Sequence, residues 1–144
     1  MLTQSEANAL IAVSKQFVVP TATVSVAPGA DATHELTDSS EEERFLLDLA
    51  RGRRKTVKLK FQTRAKKVVV LLRLDLNGAP HTNPDGQSVG PTHLHIYRES
   101  YEDKWAYELG SQDLGDASNG PASFRDFCRL ANVGDPPTLQ EGLL

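Results

Sequence analysis

The chain has 144 residues, 39% of them hydrophobic and 24% charged, with a formal net charge of −3. That is enough chain to bury one self-sufficient core, and the composition excludes collagen-like, coiled-coil, disulfide-scaffold and wholly disordered classes. No apolar run approaches the roughly 20 residues of a membrane-spanning helix, the first residues carry no basic-then-apolar signal pattern, and the single cysteine, Cys128, has no internal partner. The expectation is a cytoplasmic protein that does not engage membranes.

Thr3 and Glu6 have the spacing of a capping box, and Leu10, Ile11 and Phe17 continue an apolar face. Together they predict a helix over residues 4–16, stopped before Pro20. Thr23 to Val26 alternates as a short strand, Pro28-Gly29 turns the chain, and residues 32–36 are its expected partner. Residues 40–50 carry two signals. Ser39 and Ser40 before three glutamates resemble a helix start, whereas Phe45, Leu47 and Leu49 alternate with Arg44, Leu46 and Asp48 as in a strand. After a tight turn at residues 50–53, Val57, Leu59 and Phe61 alternate with Lys58, Lys60 and Gln62, so a hairpin is the preferred reading.

Residues 68–76 form the strongest strand: a nearly continuous branched apolar run suits a central position covered on both faces. Asn77-Gly78 ends it, and residues 79–91 read as a long loop of the kind that often carries function. Strands follow at 92–98 and 104–109. In the second, Trp105, Tyr107 and Leu109 share a face, and with Tyr101 they offer stacking on nucleobases or ordinary core packing. Phe124, Phe127, Cys128 and Ala131 stand at helical spacing and predict a helix over 123–133, capped by Gly134 and stopped by Pro136-Pro137. Cys128, among those apolar positions, reads as a buried inert thiol. The sum is a single α+β domain over residues 1–144: an antiparallel sheet of about five to seven strands with an N-terminal and a C-terminal helix packed on it.

Charge is strongly segregated. Residues 1–50 carry −6, residues 51–98 carry +9 and residues 99–144 carry −6. Arg51, Arg53, Arg54, Lys55, Lys58, Lys60, Arg64, Lys66 and Lys67 follow one another with no acid among them. Such a run points to an anionic partner, RNA or DNA first and an acidic protein second.

Strand parity makes the sharpest statement about chemistry. His93, His95 and Tyr97 share one face of their strand, and Arg73 and Asp75 share one face of the preceding strand. If the two pair antiparallel with Arg73 opposite His95 and Asp75 opposite His93, the leucines meet Leu94 and Ile96 in the core, and the charged residues are forced onto the imidazole face. His81 and Asp85 then lie in the loop above, and Lys58 and Lys60 extend the polar face. Two imidazoles can act as base and acid on a phosphodiester, Arg73 can stabilise the developing charge, and Asp75 can orient a ring. His81 and Lys104 are the assisting groups. A metal reading competes: His-x-His on a strand, with His81 or Asp85 as a third ligand, suits one divalent ion such as zinc or manganese. Asn83-Pro84-Asp85-Gly86 reads first as turn chemistry that shapes the loop, and alternatively as a rigid turn that holds His81 over the sheet.

The strings Leu71-Leu-Arg-Leu-Asp-Leu-Asn-Gly, His81-Thr-Asn-Pro-Asp-Gly, His93-Leu-His-Ile-Tyr-Arg and Tyr101-Glu-Asp-Lys-Trp-Ala-Tyr resemble a family of small uncharacterised bacterial and phage proteins. Phe45-Leu-Leu-Asp-Leu-Ala-Arg-Gly-Arg is similar to the segment that precedes them in that family, where it reads as strand and turn. The resemblance implies a compact single domain in a prokaryotic or viral cytoplasm and supports the hairpin. It brings no activity with it. Three functions remain open: engagement of nucleic acid by the basic hairpin with metal-independent, ribonuclease-like cleavage by His93, His95, Arg73, His81 and Lys104; a non-catalytic phage- or defence-type regulatory or interaction protein; and a metal-dependent hydrolase.

Overall fold

The computed structural model describes residues 1–54 and 58–140. In chain order its elements are α1 (Gln4–Ala12), β1 (Lys15–Phe17), β2 (Thr23–Ser25), β3 (Asp31–Asp38), β4 (Arg44–Arg51), β5 (Leu59–Ala65), β6 (Val69–Leu76), β7 (His81–Thr82), β8 (Ser88–Val89), β9 (His93–Ile96), β10 (Ala106–Tyr107), α2 (Gly120–Leu130) and β11 (Thr138–Gln140). Seven strands make one antiparallel sheet in the order β1-β3-β4-β5-β6-β9-β10, and with the two terminal helices they give the expected α+β architecture.

The sheet has a greasy side and a polar side because its central strands alternate. Phe45, Leu47 and Leu49 on β4, Leu59 and Phe61 on β5, and Leu72, Leu74 and Leu76 on β6 are all buried in one core cluster. Helix α2 caps that core: Phe124 and Phe127 pack on Phe61 with ring centroids 5.2 and 5.9 Å away. Cys128 is buried beside them, and burial pushes its thiol up to about 12, so it is inert at neutral pH. Val24 from β2 and Leu139 from β11 close the same cluster.

Both helix ends converge on one ammonium group. Lys15 is 3% exposed, and its Nζ donates to the carbonyls of Ile11 and Val13 at 2.9 Å and of Ala131 at 3.0 Å. These carbonyls lie at the C-terminal ends of α1 and α2, where a cation complements the helix dipole and supplies missing donors. The Phe45 ring lies 4.9 Å from the same nitrogen.

The structure departs from expectation in several places, each with a physical reason. Helix α1 has the capping box, with Thr3 Oγ1 accepting from Glu6 N–H and Glu6 Oε1 from Thr3 N–H, but it stops at Ala12 because Lys15 is drawn into the sheet beside β3. Strand β2 does not pair with β3; it pairs in parallel with β11. The Pro28-Gly29 turn is present, with Gly29 at φ +75° under the Arg53 side chain, but it leads β3 onto β1 and β4 instead. Residues 40–50 resolve as the strand β4, and the β4–β5 connection is longer than a tight turn, closing where Gly52 N–H donates to the Lys58 carbonyl. Val57 lies outside the described residues. The left-handed residue after α2 is Asn132 (φ 60°), and Gly134 instead donates its N–H to the Lys15 carbonyl.

Lys15 provides the first test. Burial pulls its ammonium down to about 8 from an ordinary value of 10.5. Between those two values the unfolded chain holds a proton that the folded chain has released, so this group's contribution to stability rises with pH across that window. Lys15→Met leaves three carbonyls without a donor and is expected to destabilise at neutral pH by about 1–3 kcal/mol. In urea unfolding at pH 7 and pH 10, the gap between the unaltered protein and the variant should widen at the higher pH. A narrowing gap would show that the charged form is the one the fold favours.

Candidate functional site

On the polar side, β6 and β9 pair with Arg73 opposite His95 and Asp75 opposite His93, while Leu74 meets Leu94 and Leu72 meets Ile96. This is the register that strand parity requires. Two cross-strand rows therefore run over the outer face: Thr33, Asp48, Gln62, Arg73 and His95 in one, and Asp31, Ala50, Lys60, Asp75 and His93 in the other.

His93 and His95 are each 1% exposed. They are roofed by the segment between β6 and β9, which is not an irregular loop but a small hairpin of β7 and β8. Its tip is a turn in which Gly86 N–H donates to the Asn83 carbonyl, Asp85 accepts from the Gln87 N–H, and Gly86 takes φ +90°. Buried Asn83 straps the hairpin to the sheet edge: its Nδ2 donates to the Ala106 carbonyl at 2.9 Å and its Oδ1 accepts from the Ala106 N–H at 2.8 Å. The strap brings His81 down onto the sheet, with its ring 4.7 Å from that of His95 and 5.7 Å from that of His93, while the His93 and His95 rings are 4.9 Å apart.

A hydrogen-bond network fixes the rings. His93 Nδ1 donates to the Gly90 carbonyl and His95 Nδ1 to the Asp103 carbonyl, both at 2.7 Å. His81 Nε2 donates to the Lys104 carbonyl at 2.8 Å. The Arg73 guanidinium donates from Nε to Asp75 Oδ1 at 3.0 Å, from Nη1 to Asp103 Oδ2 at 3.2 Å and from Nη2 to His95 Nε2 at 3.0 Å. Burial, with the Arg73 charge beside it, pushes the His95 imidazolium down to about 4, so this ring is neutral at pH 7. A hollow of about 200 Å³ opens onto Lys58, Lys60, Arg73, Asp75 and the three imidazoles. A second, of about 500 Å³, shares Lys60 and Arg73 with it and continues across the sheet past Gln62 to Asp48 and Asp31.

The structure thus brings together His81, His93, His95 and Arg73, and sets Lys58 and Lys60 beside them. It does not bring in Asp85, which serves the turn, nor the side chain of Lys104, which is exposed and joins only through its carbonyl. Tyr97 leaves the strand path and donates its hydroxyl to the Leu2 carbonyl at 2.6 Å. Trp105 is half-buried under the Arg98 guanidinium, 3.9 Å from its ring centre, with Tyr101 against its edge. Asp103, which holds Arg73 by its carboxylate and His95 by its carbonyl, carried no signal in the sequence because its contribution depends on a tight turn at Arg98–Glu102.

The basic run is divided by the fold. Arg51, Arg53, Arg54, Lys58 and Lys60 lie at one end of β5, and Arg64, Lys66 and Lys67 lie at the other; Lys55 is outside the described residues. The second group is largely neutralised. Arg64 grips Asp48 through two nitrogens, and Lys66 pairs with Glu43 at 3.0 Å. Although burial opposes it, the bonds from Arg64, Gln62 and Thr33 hold the Asp48 carboxyl below the usual range. Among the described residues no carboxylate lies within 4.0 Å of Lys58 or Lys60.

Among the described residues no helix is long and apolar enough to cross a membrane. A model for a family of unknown function (DUF6978) matches residues 2–133, and the chain belongs to that family. The matched span takes in both helices and every residue of the imidazole cluster. No curated protein and no solved structure matches the chain.

The strap is directly testable. Asn83→Ala removes both bonds to Ala106 and is expected to destabilise by about 1–3 kcal/mol. The Ala106 amide should then exchange its hydrogen faster, and the His81 ring resonances should shift. Unchanged exchange at Ala106 would mean that other contacts hold the hairpin.

Proposed function

We propose that this protein binds a strand of RNA or DNA across the polar face of the sheet, with a phosphodiester group at the imidazole cluster. The observation that carries the reading is the position of Lys58 and Lys60. Both line the hollow that holds His81, His93, His95 and Arg73, and neither is paired with a carboxylate among the described residues. Unpaired ammonium groups beside a shallow concave surface attract a phosphate backbone, and releasing counterions supplies most of the affinity. Arg73 adds a guanidinium already oriented by two carboxylates. The adjoining larger hollow gives a single strand room to continue past Gln62.

Ion pairing supports a role for only part of the basic run. Arg64 and Lys66 are engaged with Asp48 and Glu43, so the run of nine basic side chains does not act as one patch; the end that borders the histidines is the binding end. The imidazole geometry bears on any cleavage chemistry too. His95 is held neutral and is 1% exposed, with its ring 4.9 Å from that of His93, so a phosphodiester would meet Arg73 and the lysines at the rim of the hollow as well as the rings.

A fluorescent single-stranded oligonucleotide is expected to bind at low salt and to dissociate steeply as salt is raised. Lys58→Ala/Lys60→Ala should weaken binding and lower the slope of log K against log salt by roughly 1.4, about 0.7 for each lost phosphate contact. Lys66→Ala should change neither. Equal slopes for the double variant and the unaltered protein, or no binding at low salt, would remove this reading.

A further inference from the structure

Beneath the hairpin, Asp75 Oδ2, His93 Nε2 and His95 Nε2 lie within 4.8 Å of one another. The geometry points to a binding site for one divalent transition-metal ion of the zinc class at these three residues, with a fourth position open toward the hollow.

The protons decide where the lone pairs are. A carbonyl oxygen only accepts, so the 2.7 Å contacts to Gly90 and Asp103 place a proton on Nδ1 of His93 and of His95. A metal-binding imidazole is neutral and carries a single N–H, so with Nδ1 as the donor it is Nε2 of each ring that would offer the lone pair to an ion. Both face Asp75 Oδ2, at 3.4 and 3.8 Å, and that oxygen is an acceptor as well. Asp75 Oδ1 already takes the Arg73 Nε proton, which leaves Oδ2 turned to the cluster. Asp75 Oδ2 and the two Nε2 atoms converge on a common point, where Arg73 Nη2 holds His95 Nε2 at 3.0 Å and where a single cation would serve all three.

The distances suit such an ion. Bonds of about 2.0–2.1 Å around tetrahedral zinc set its ligand atoms about 3.3 Å apart, so the two edges from Asp75, 3.4 and 3.8 Å, need close by no more than about half an ångström, and the third, between the imidazoles, lies within 4.8 Å. Metal-bound histidines typically give their other ring N–H to a carbonyl or carboxylate, which fixes the tautomer and raises basicity; His93 and His95 both do so. Two imidazoles and one carboxylate are a zinc-type donor set, whereas manganese and magnesium favour sites built mainly from oxygen. The third imidazole, His81, is held by its Nε2–H on the Lys104 carbonyl and lines the same hollow. The ligand set differs from the one expected of the sequence: Asp75 on the strand takes the place of Asp85 in the turn.

Arg73 sets the affinity. Its Nη2 donates to His95 Nε2 at 3.0 Å, in the place where a metal bond would form. Loading therefore exchanges that hydrogen bond for coordination, while Arg73 keeps Asp75 Oδ1 and Asp103. Polarisation of a phosphoryl oxygen by the ion beside Lys58 and Lys60 rests on the nucleic-acid reading above; binding of the ion does not.

The test uses the full chain, stripped with a chelator and titrated with Zn²⁺ alone in a calorimeter. One ion per chain is expected, and Co²⁺ in its place should give the visible absorption of a low-coordinate nitrogen–oxygen site. His93→Gln and His95→Gln should each weaken uptake on the order of 100-fold, and Arg73→Met should tighten it. No stoichiometric uptake by the unaltered protein overturns the site, and so does equal uptake by a folded His93→Gln variant. If the glutamine variants do not fold, weaker binding by Arg73→Met or an octahedral Co²⁺ spectrum overturns it. No oligonucleotide enters these measurements, so failure of the nucleic-acid reading leaves them unchanged.

Discussion

Everything at the imidazole cluster depends on the register between β6 and β9. Side chains on a strand alternate with period two, so a slip of one residue would carry Arg73 and Asp75 into the leucine layer and turn Leu94 and Ile96 outward. The core excludes that alternative: Leu72, Leu74 and Leu76 are packed with Phe61, Phe124 and Phe127 on the other side. The apolar face thus specifies the position of the polar one. Burial of the two histidines follows from the same pairing, because a strand next to the edge is easily roofed by the hairpin that connects it.

The roof and the rings depend on backbone groups as much as on side chains. Gly90, Asp103 and Lys104 each offer a carbonyl to one imidazole. A ring held this way has its tautomer chosen by the main chain, so the path of the loop matters more than the side chains at Gly90 and Lys104, while Asp103 also holds Arg73 through its carboxylate. Arg73 joins the pieces, linking a core strand, the 98–104 turn and a histidine through one planar group with a fixed fork of donors. Asn83 does the same for the hairpin by presenting a side-chain amide where the edge strand β10 lacks a neighbouring backbone.

How much of this could be read from the sequence follows from the range of the interactions involved. The capping box at Thr3 and Glu6, the amphipathic stripe of Phe124, Phe127 and Cys128, and the alternation in β5 are local patterns and were legible. Strand β4 carried a helix signal beside its alternation and was decided only by its pairing with β3 and β5. The Arg73–His95 pairing was legible as well, because parity on two well-marked strands admits few registers. The parallel partner of β2 was not, since nothing near Thr23 signals a strand at the far end of the chain. Strands β7 and β8 have two residues each, too few to show any period. The division of the basic run was hidden for a related reason: its members are neighbours in sequence, but β5 carries them apart, and the acids that neutralise Arg64 and Lys66 come from β4 and the turn before it.

The pairing of β2 with β11 bears on how the molecule is made. The two partners, residues 23–25 and 138–140, are far apart in the sequence, so β2 gains its strand neighbour only once β11 has been made. The seven-stranded sheet relies mainly on contacts between successive segments and is free to assemble earlier. Val24, whose side chain belongs to the common core, therefore depends on a segment made much later for its strand partner, Leu139. By bringing Leu139 against the same cluster, this short parallel pair acts as a latch between distant parts of the sequence, and a copy with the latch undone offers Val24 to a chaperone or a protease.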